Sequence, residues 1–324
     1  MNKKIVVIVT SIILFAVLLH LDLGARITGK IEGRVVDDET GSPIVDVFVE
    51  LYIFMERQSF VTQEVRTDSG GNFVFSGLNP RKYFIGFKKE GYVGFPRQSD
   101  IYKSSDPTQV LQIIDLPEGE RRFVNVRLKR GALIKGKVLL KDTEGIRPIP
   151  ISDNSFDIKP IVRLYRELKP TEKSLYYTGS RVEYAISIPD SEGNYFLDGV
   201  EPGYLYELLF FHKGFANHSE TIEVSNIEPI EIDHTFDETD ETFLSVKVFV
   251  NNTPARGRLS LIELSTSLFL GNLIKENDRY ILKNLKPGSY RLKISIRIPN
   301  NERIRETIPI EIERGKTKYL ELKY

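Results

Sequence analysis

The 324-residue chain has no cysteine and no tryptophan, and it has only two methionines and four histidines. Without cysteine there is no disulfide, no thiolate metal site, no cysteine nucleophile and no lipid-modified N-terminal cysteine. Tryptophan is the favoured platform for stacking on sugars, so any such stacking would have to use tyrosine. Net charge is missing too, since 45 basic residues stand against 45 acidic ones. A nucleic-acid binder usually carries a basic excess or stripe, so this balance speaks against one. Serine nucleophile elbows, phosphate-cradling glycine loops and His-Glu zinc helices are also absent as motifs.

The first 25 residues stand apart from the rest. Met1 to Lys4 is short and basic, Ile5 to Leu19 is uncharged and almost wholly apolar, and Leu21 and Leu23 extend the run. Such a segment targets or anchors the chain and is kept out of the fold. A cleaved signal needs small residues at the first and third positions before the cut. Cleavage after Gly24 or Ala25 would put Asp22 or Leu23 at the third. An uncleaved anchor is therefore favoured over a cleaved signal, with Lys3 and Lys4 reaching back to the interface. Either way the N-terminus is expected in the cytoplasm, and everything after Arg26 in the periplasm or outside the cell.

One pattern then occurs three times. It reads Gly71-Asn72-Phe73-Val74-Phe75-Ser76-Gly77-Leu78-Asn79-Pro80 followed by Tyr83. It returns from Gly193-Asn194-Tyr195 to Gly199-Val200-Glu201-Pro202 with Tyr206, and again from Asp278-Arg279-Tyr280 to Asn284-Leu285-Lys286-Pro287 with Tyr290. Each copy predicts a turn, a short strand, a break at a small residue or Asn, an aliphatic plug, a proline turn and an alternating strand. Each also opens on an alternating strand (Ile31-Gly33-Val35, Ile134-Gly136-Val138, Leu244-Val246-Val248) and closes on another. Period-2 alternation between turn signals predicts an all-β sandwich for each copy. The predicted domains are an anchor over 1–25 and sandwiches over 26–130, 131–240 and 241–324.

The first copy carries Gly33-Arg34-Val35-Val36-Asp37, Thr40-Gly41-Ser42-Pro43-Ile44 and Thr67-Asp68-Ser69-Gly70-Gly71-Asn72-Phe73. These residues resemble the carboxypeptidase regulatory-like domain. The resemblance covers about 28–130, extends in part to 131–236, and keeps only the second half of the motif in 242–324. It implies a transthyretin-like, seven-stranded sandwich that serves as an accessory module. The expected fold is thus all-β, with tandem transthyretin-like or immunoglobulin-like β-sandwiches after an N-terminal transmembrane helix.

Little points to chemistry. His212 follows the inward parity of Leu208 and Phe210, His218 reads as loop, and His234 reads as the end of a last strand, three unrelated positions. Asp68-Gly70-Asn72 and Asp190-Glu192-Asn194 faintly resemble a calcium loop but lack its final Glu, and a hairpin turn explains them as well. A Lys-Asn cross-link fails on parity, because Asn125 alternates with inward Val124 and Val126, and Lys30 with Ile31. No catalytic residue, metal site or cofactor is expected. The expectation is a non-catalytic, membrane-tethered structural or interaction protein of the cell envelope. The alternative is a carbohydrate-binding, starch-binding-like module protein. A protein or polysaccharide partner is expected, and no nucleic acid. Candidate partner-binding residues are Tyr102, Tyr176 and Tyr177, which sit in long loops and have no counterpart in the other copies. Tyr92 reads instead as structural, because Phe215 repeats it.

Overall fold

The computed structural model describes residues 28–55, 58–95, 113–149, 159–168, 181–240, 242–264, 269–298 and 302–324. All regular structure among them is strand. No helix among them is long and apolar enough to cross a membrane, and the expected anchor over 1–25 lies outside the described residues. The described residues form two compact units. One runs to Lys89 and resumes at Gly94 and again before Lys129, while the other holds Glu90–Val93 and everything from Arg130.

The first unit contains β1 (Gly29–Asp37), β2 (Phe48–Met55), β3 (Gln58–Arg66), β4 (Asn72–Leu78), β5 (Arg81–Lys88), β6 (Ile114–Leu116) and β7 (Arg121–Leu128). One sheet runs β4-β1-β7 and the other β3-β2-β5-β6. The opening strand β1 is antiparallel to β4 and parallel to the closing strand β7. Alternation sends Ile31, Val35, Phe73 and Phe75 inward from the first sheet, and Leu78 follows after a break in register. Val49, Leu51, Ile85 and Phe87 meet them from the second, all at most 3% exposed. The Phe73 and Phe87 rings touch edge to face at 5.8 Å across the two sheets. Gly33 sits under Phe73 because a Cβ there would lie 2.5 Å from the ring and 2.2 Å from the Val124 carbonyl.

The second unit repeats this plan twice. Its first sandwich contains β8 (Ala132–Asp142), β9 (Gly145–Pro148), β10 (Ile161–Glu167), β11 (Arg181–Ser187), β12 (Asn194–Val200), β13 (Tyr204–Phe211), β14 (His218–Val224), β15 (Ile230–Glu231) and β16 (His234–Asp237). β8 pairs antiparallel with β12 and parallel with β15 and β16, and the facing sheet runs β11-β10-β13-β14. The last sandwich contains β17 (Leu244–Val250), β18 (Thr253–Pro254), β19 (Gly257–Glu263), β20 (Phe269–Asn272), β21 (Ile274–Glu276), β22 (Arg279–Leu282), β23 (Gly288–Arg297), β24 (Arg303–Ile312) and β25 (Lys318–Lys323). Here β17 is antiparallel to β22 and parallel to β25, against a sheet ordered β20-β19-β23-β24. Each sandwich has its own core. Ile134, Leu164, Tyr195, Leu208 and Phe210 fill one, and Val246, Leu261, Leu282, Leu292 and Ile296 the other.

The recurrent motif residues have distinct tasks. The plugs Leu78, Val200 and Leu285 are 3%, 0% and 3% exposed. The tyrosine that starts the next strand reaches back to a carbonyl upstream. Tyr83 donates to Asn79 O at 2.9 Å, Tyr206 to Glu201 O at 2.7 Å, and Tyr290 to Lys286 O. This tyrosine corner explains why the position is Tyr rather than Phe, since the ring fills the core while the hydroxyl pins the proline turn. Gly71 and Gly193 take φ of +75° and +83°. A Cβ on either would lie 2.4 Å from the Val35 carbonyl or 2.7 Å from that of Val138.

Within the second unit the two sandwiches are joined through a corner of the chain. Phe215, 4% exposed, follows Gly214 and bridges to Lys283 in the breaking segment of the last copy. Lys283 N donates to Gly214 O at 2.8 Å, and Ala216 N donates to Lys283 O at 2.7 Å. Asn284, at φ +55°, accepts from Asp237 N at 2.8 Å and donates to Asp237 O at 2.5 Å. Glu90–Val93 is held within this unit in a similar way. Gly131 N donates to Gly91 O at 2.9 Å, and Asp198 accepts from Gly91 N at 2.9 Å. Tyr92 bridges to Arg130 as Phe215 bridges to Lys283.

Candidate functional site

Tyr102, Tyr176 and Tyr177 all lie outside the described residues. The built candidate is elsewhere, in the aromatic and histidine cluster of the second unit. β13 delivers Phe210 inward, and His212 continues its parity at 7% exposed. His218 does not lie in a loop. It opens β14, paired opposite Phe210. His234 does not end a strand either, since it opens β16 beside Val138 of β8. These pairings stack three rings. Phe210 lies 4.8 Å from His234 at 24°, and His234 lies 4.5 Å from His218 at 7°. Phe236 meets His234 edge-on at 4.5 Å, and His212 stacks on Phe215 at 5.2 Å. The three histidines thus belong to one cluster. Sequence parity could have placed His212 and hinted at His234, which alternates with Phe236, but only strand pairing brings His218 onto them.

A cavity of about 400 Å³ opens beside the stack, lined among others by His218, His234, Phe236, Asp240, Glu263 and Tyr290. Burial, followed by the nearby His218, pushes the His234 imidazole down to about 3. His218 Nε2 lies 3.0 Å from Glu220 Oε1. At Asp237 burial works against the charge, but the Lys141 ammonium at 2.9 Å and the Thr239 hydroxyl and N–H hold the carboxyl below its usual range. Burial also raises the Tyr290 phenol to about 12.

The volume suits a small ligand. The residues, however, lack a constellation for bond breaking. An effective general base titrates near the working pH, and His234 is far below it. Among the described residues no serine or threonine hydroxyl hydrogen-bonds to His218 or His234, and no group of three His, Asp or Glu could hold a metal ion.

The two Asp-Gly-Asn turns are satisfied from within. Asp68 Oδ1 accepts from Gly70 N at 2.9 Å and Asn72 N at 2.8 Å, and Asn72 Nδ2 reaches both of its oxygens. Asp190 does the same with Glu192 N and Asn194, at 2.9 Å to each backbone N–H. The Asn72 N–H and side chain hold the Asp68 carboxyl below the usual carboxylate range, and the Asn194 side chain and N–H do so for Asp190. These carboxylates act as turn caps. Asn125 is exposed beside buried Val124, and Lys30 pairs with Glu32 at 2.6 Å. Arg166 was not singled out by the sequence. It is fully buried, with its guanidinium 4.4 Å from the Tyr204 ring.

Residues 30–129 match the family model of the carboxypeptidase regulatory-like domain, as the sequence resemblance implied for that stretch. No curated protein matches the chain. Among solved structures, the Bacillus anthracis TIE protein aligns at 14% identity with a TM-score of 0.24, over 92% of this chain and 50% of that one. The chain therefore spans about half the length of that protein. The minor pilin GBS52 of Streptococcus agalactiae aligns at 14% identity and a TM-score of 0.26, over 64% of this chain and 95% of its own. The major pilin subunit BcpA of Bacillus cereus aligns at 12% identity and a TM-score of 0.24, over 91% and 99%. Likenesses at this level carry no argument about function or partner.

Proposed function

We propose that this chain is a non-catalytic structural or interaction protein of the cell envelope. In this reading residues 1–25 tether it to the membrane, and sandwiches over 26–130, 131–240 and 241–324 lie outside the cytoplasm. One observation carries the non-catalytic reading. The residues that could have done chemistry in each repeated motif are engaged in holding the fold. Asp68 and Asp190 cap turns, and Tyr83, Tyr206 and Tyr290 pin proline turns. The tether rests on the apolar run and its flanking Lys3 and Lys4. The partner in this reading is a protein or a polysaccharide, and not a nucleic acid.

The test of the tether is N-terminal sequencing of the mature protein, with protease treatment of intact cells or spheroplasts. An N-terminus at Met1 or Asn2, together with digestion of the β-sandwiches from outside, is the expected result. A mature chain beginning near Arg26 would replace the anchor with a cleaved signal. Protection of the sandwiches in intact spheroplasts would remove the extracytoplasmic reading.

A further inference from the structure

The facing sheet of the last sandwich carries a concentration of charge that the neutral chain as a whole conceals. In β19, β23 and β24 the inward positions are Leu259, Leu261, Leu292, Ile294, Ile296, Ile310 and Ile312, all buried. The alternate positions therefore face outward. They are Arg258, Ser260 and Ile262 in β19, and Arg291, Lys293, Ser295 and Arg297 in β23. In β24 they are Arg303, Arg305, Thr307, Pro309 and Glu311. Six cations thus share a face with one carboxylate, Glu311. Elsewhere in the described residues cations are commonly paired, as Arg66 is with Asp46, Arg127 with Asp38 and Lys316 with Glu313. None of these six makes an ion pair among the described residues.

Register arranges them. Arg258 lies opposite Ser295, and Ser295 opposite Arg305. In the next row Ser260 lies opposite Lys293, and Lys293 opposite Thr307. Arg297 lies opposite Arg303 further along. The two central rows alternate cation and hydroxyl both along and across the strands. They line a shallow groove of about 380 Å³ with Glu306 at its edge, where the Tyr324 hydroxyl donates to that carboxylate.

We propose that this face binds a linear acidic polysaccharide. Charge complementarity selects a polyanion, and five of the six cations are arginines, whose planar fork matches carboxylate and sulfate in two-point contacts. Same-face residues recur about every 6.6–6.8 Å along a strand and strands lie about 4.8 Å apart, so the cations are spaced for a repeating anion rather than one ion. The interleaved Ser260, Ser295 and Thr307 hydroxyls suit a chain whose anions alternate with hydroxyl groups. Single-stranded nucleic acid would need aromatic platforms for its bases, and the groove has none. A membrane surface would call for a cluster of apolar side chains to insert, and the outward apolar residues of this sheet face, half-buried Ile262, Phe269 opposite it and Pro309, all lie outside the groove. This assignment specifies the polysaccharide among the partner classes above, and it does not depend on the membrane tether.

The test uses the full-length chain held in phosphatidylcholine nanodiscs, with binding measured across a salt series. The probes are heparin, polygalacturonate, neutral dextran, double-stranded DNA and phosphatidylglycerol vesicles. The variant is R258Q/K293Q/R305Q, and the charge-matched control is R66Q/R127Q/K316Q. Expected are binding of heparin and polygalacturonate, none of dextran, and an affinity drop of about tenfold or more in the groove variant only. Its log–log salt slope should also shrink by about three, one for each cation removed. Unchanged thermal stability of the variant, with every position exposed, separates lost binding from lost fold. The proposal is overturned if neither acidic polymer binds at low salt, or if control and groove variants lose affinity equally. Tighter binding of DNA or vesicles through the same three residues would also overturn it. None of these results bears on the tether, which N-terminal sequencing decides separately.

Discussion

His234 shows how much a single environment can do to a side chain. Its ring stacks on both Phe210 and His218, which lie 6.1 Å from each other, and burial pushes its pKa down to about 3. In the unfolded chain the same imidazole titrates near its ordinary value of about 6.5. Between those values the unfolded state binds the proton and the folded state does not, so stability rises with pH across that window. The full contribution is present above about pH 6.5 and is lost as pH falls toward 3. At pH 5 the loss from this one group is at most about 2 kcal/mol. Replacing His234 with Phe keeps a flat ring in the stack and removes the titration. Urea unfolding at pH 7 and pH 5 should show a smaller acid penalty for H234F than for the parent chain. Equal penalties would mean that His234 is not the group responsible, leaving Glu220, Asp237, Asp240, Glu263 and His218 around it to account for the change.

Among elements, the turn before the motif strand leads into the second half of each of the first two sandwiches. The Asp carboxylate draws in three donors from the next four residues, and a glycine then passes under the opening strand with positive φ. Two glycines of the second sandwich, Gly193 in that turn and Gly203 in the proline turn after β12, separate the cost of positive φ from the cost of a close approach. Gly203 has φ +88° with nothing within 4 Å of a Cβ, whereas at Gly193 (φ +83°) a Cβ would lie 2.7 Å from the Val138 carbonyl. Gly203→Ala should cost about 1–2 kcal/mol from backbone conformation alone. Gly193→Ala should cost more by roughly a further 1–3 kcal/mol, because β8 has to move. Denaturant midpoints measure both, and equal losses would show that the close approach to Val138 is not confining. These turns were legible as hairpin signals because Asp, Gly and Asn act over four residues. The tyrosine corners were legible only as alternating core positions, since nothing in a sequence says whether a hydroxyl finds a carbonyl.

For the molecule as a whole, cross-linking is the property most easily checked. Asn125 is exposed and Lys30 is ion-paired, so these two do not form a buried Lys-Asn pair. The intact mass of the purified chain, after allowing for any N-terminal processing, should equal the sequence mass. A deficit of one ammonia would show an isopeptide bond and a different inward set. The three copies, their motif strands and the burial of Leu78, Val200 and Leu285 as plugs after a break in the strand could all be read from the chain directly. Alternation and turn chemistry are local, and each signal is complete within about ten residues. The composition, by contrast, pointed away from a basic surface, because 45 charges of each sign cancel in the sum. Arg258, Lys293 and Arg305 stand far apart in the chain and become neighbours only through the register of β19, β23 and β24. His218 likewise joins His234 only because β14 pairs with β13 and β16 with β8. Which strands lie side by side, and in what register, is set by the burial of their inner faces against the opposite sheet, a condition on the whole sandwich that no stretch of the chain carries alone.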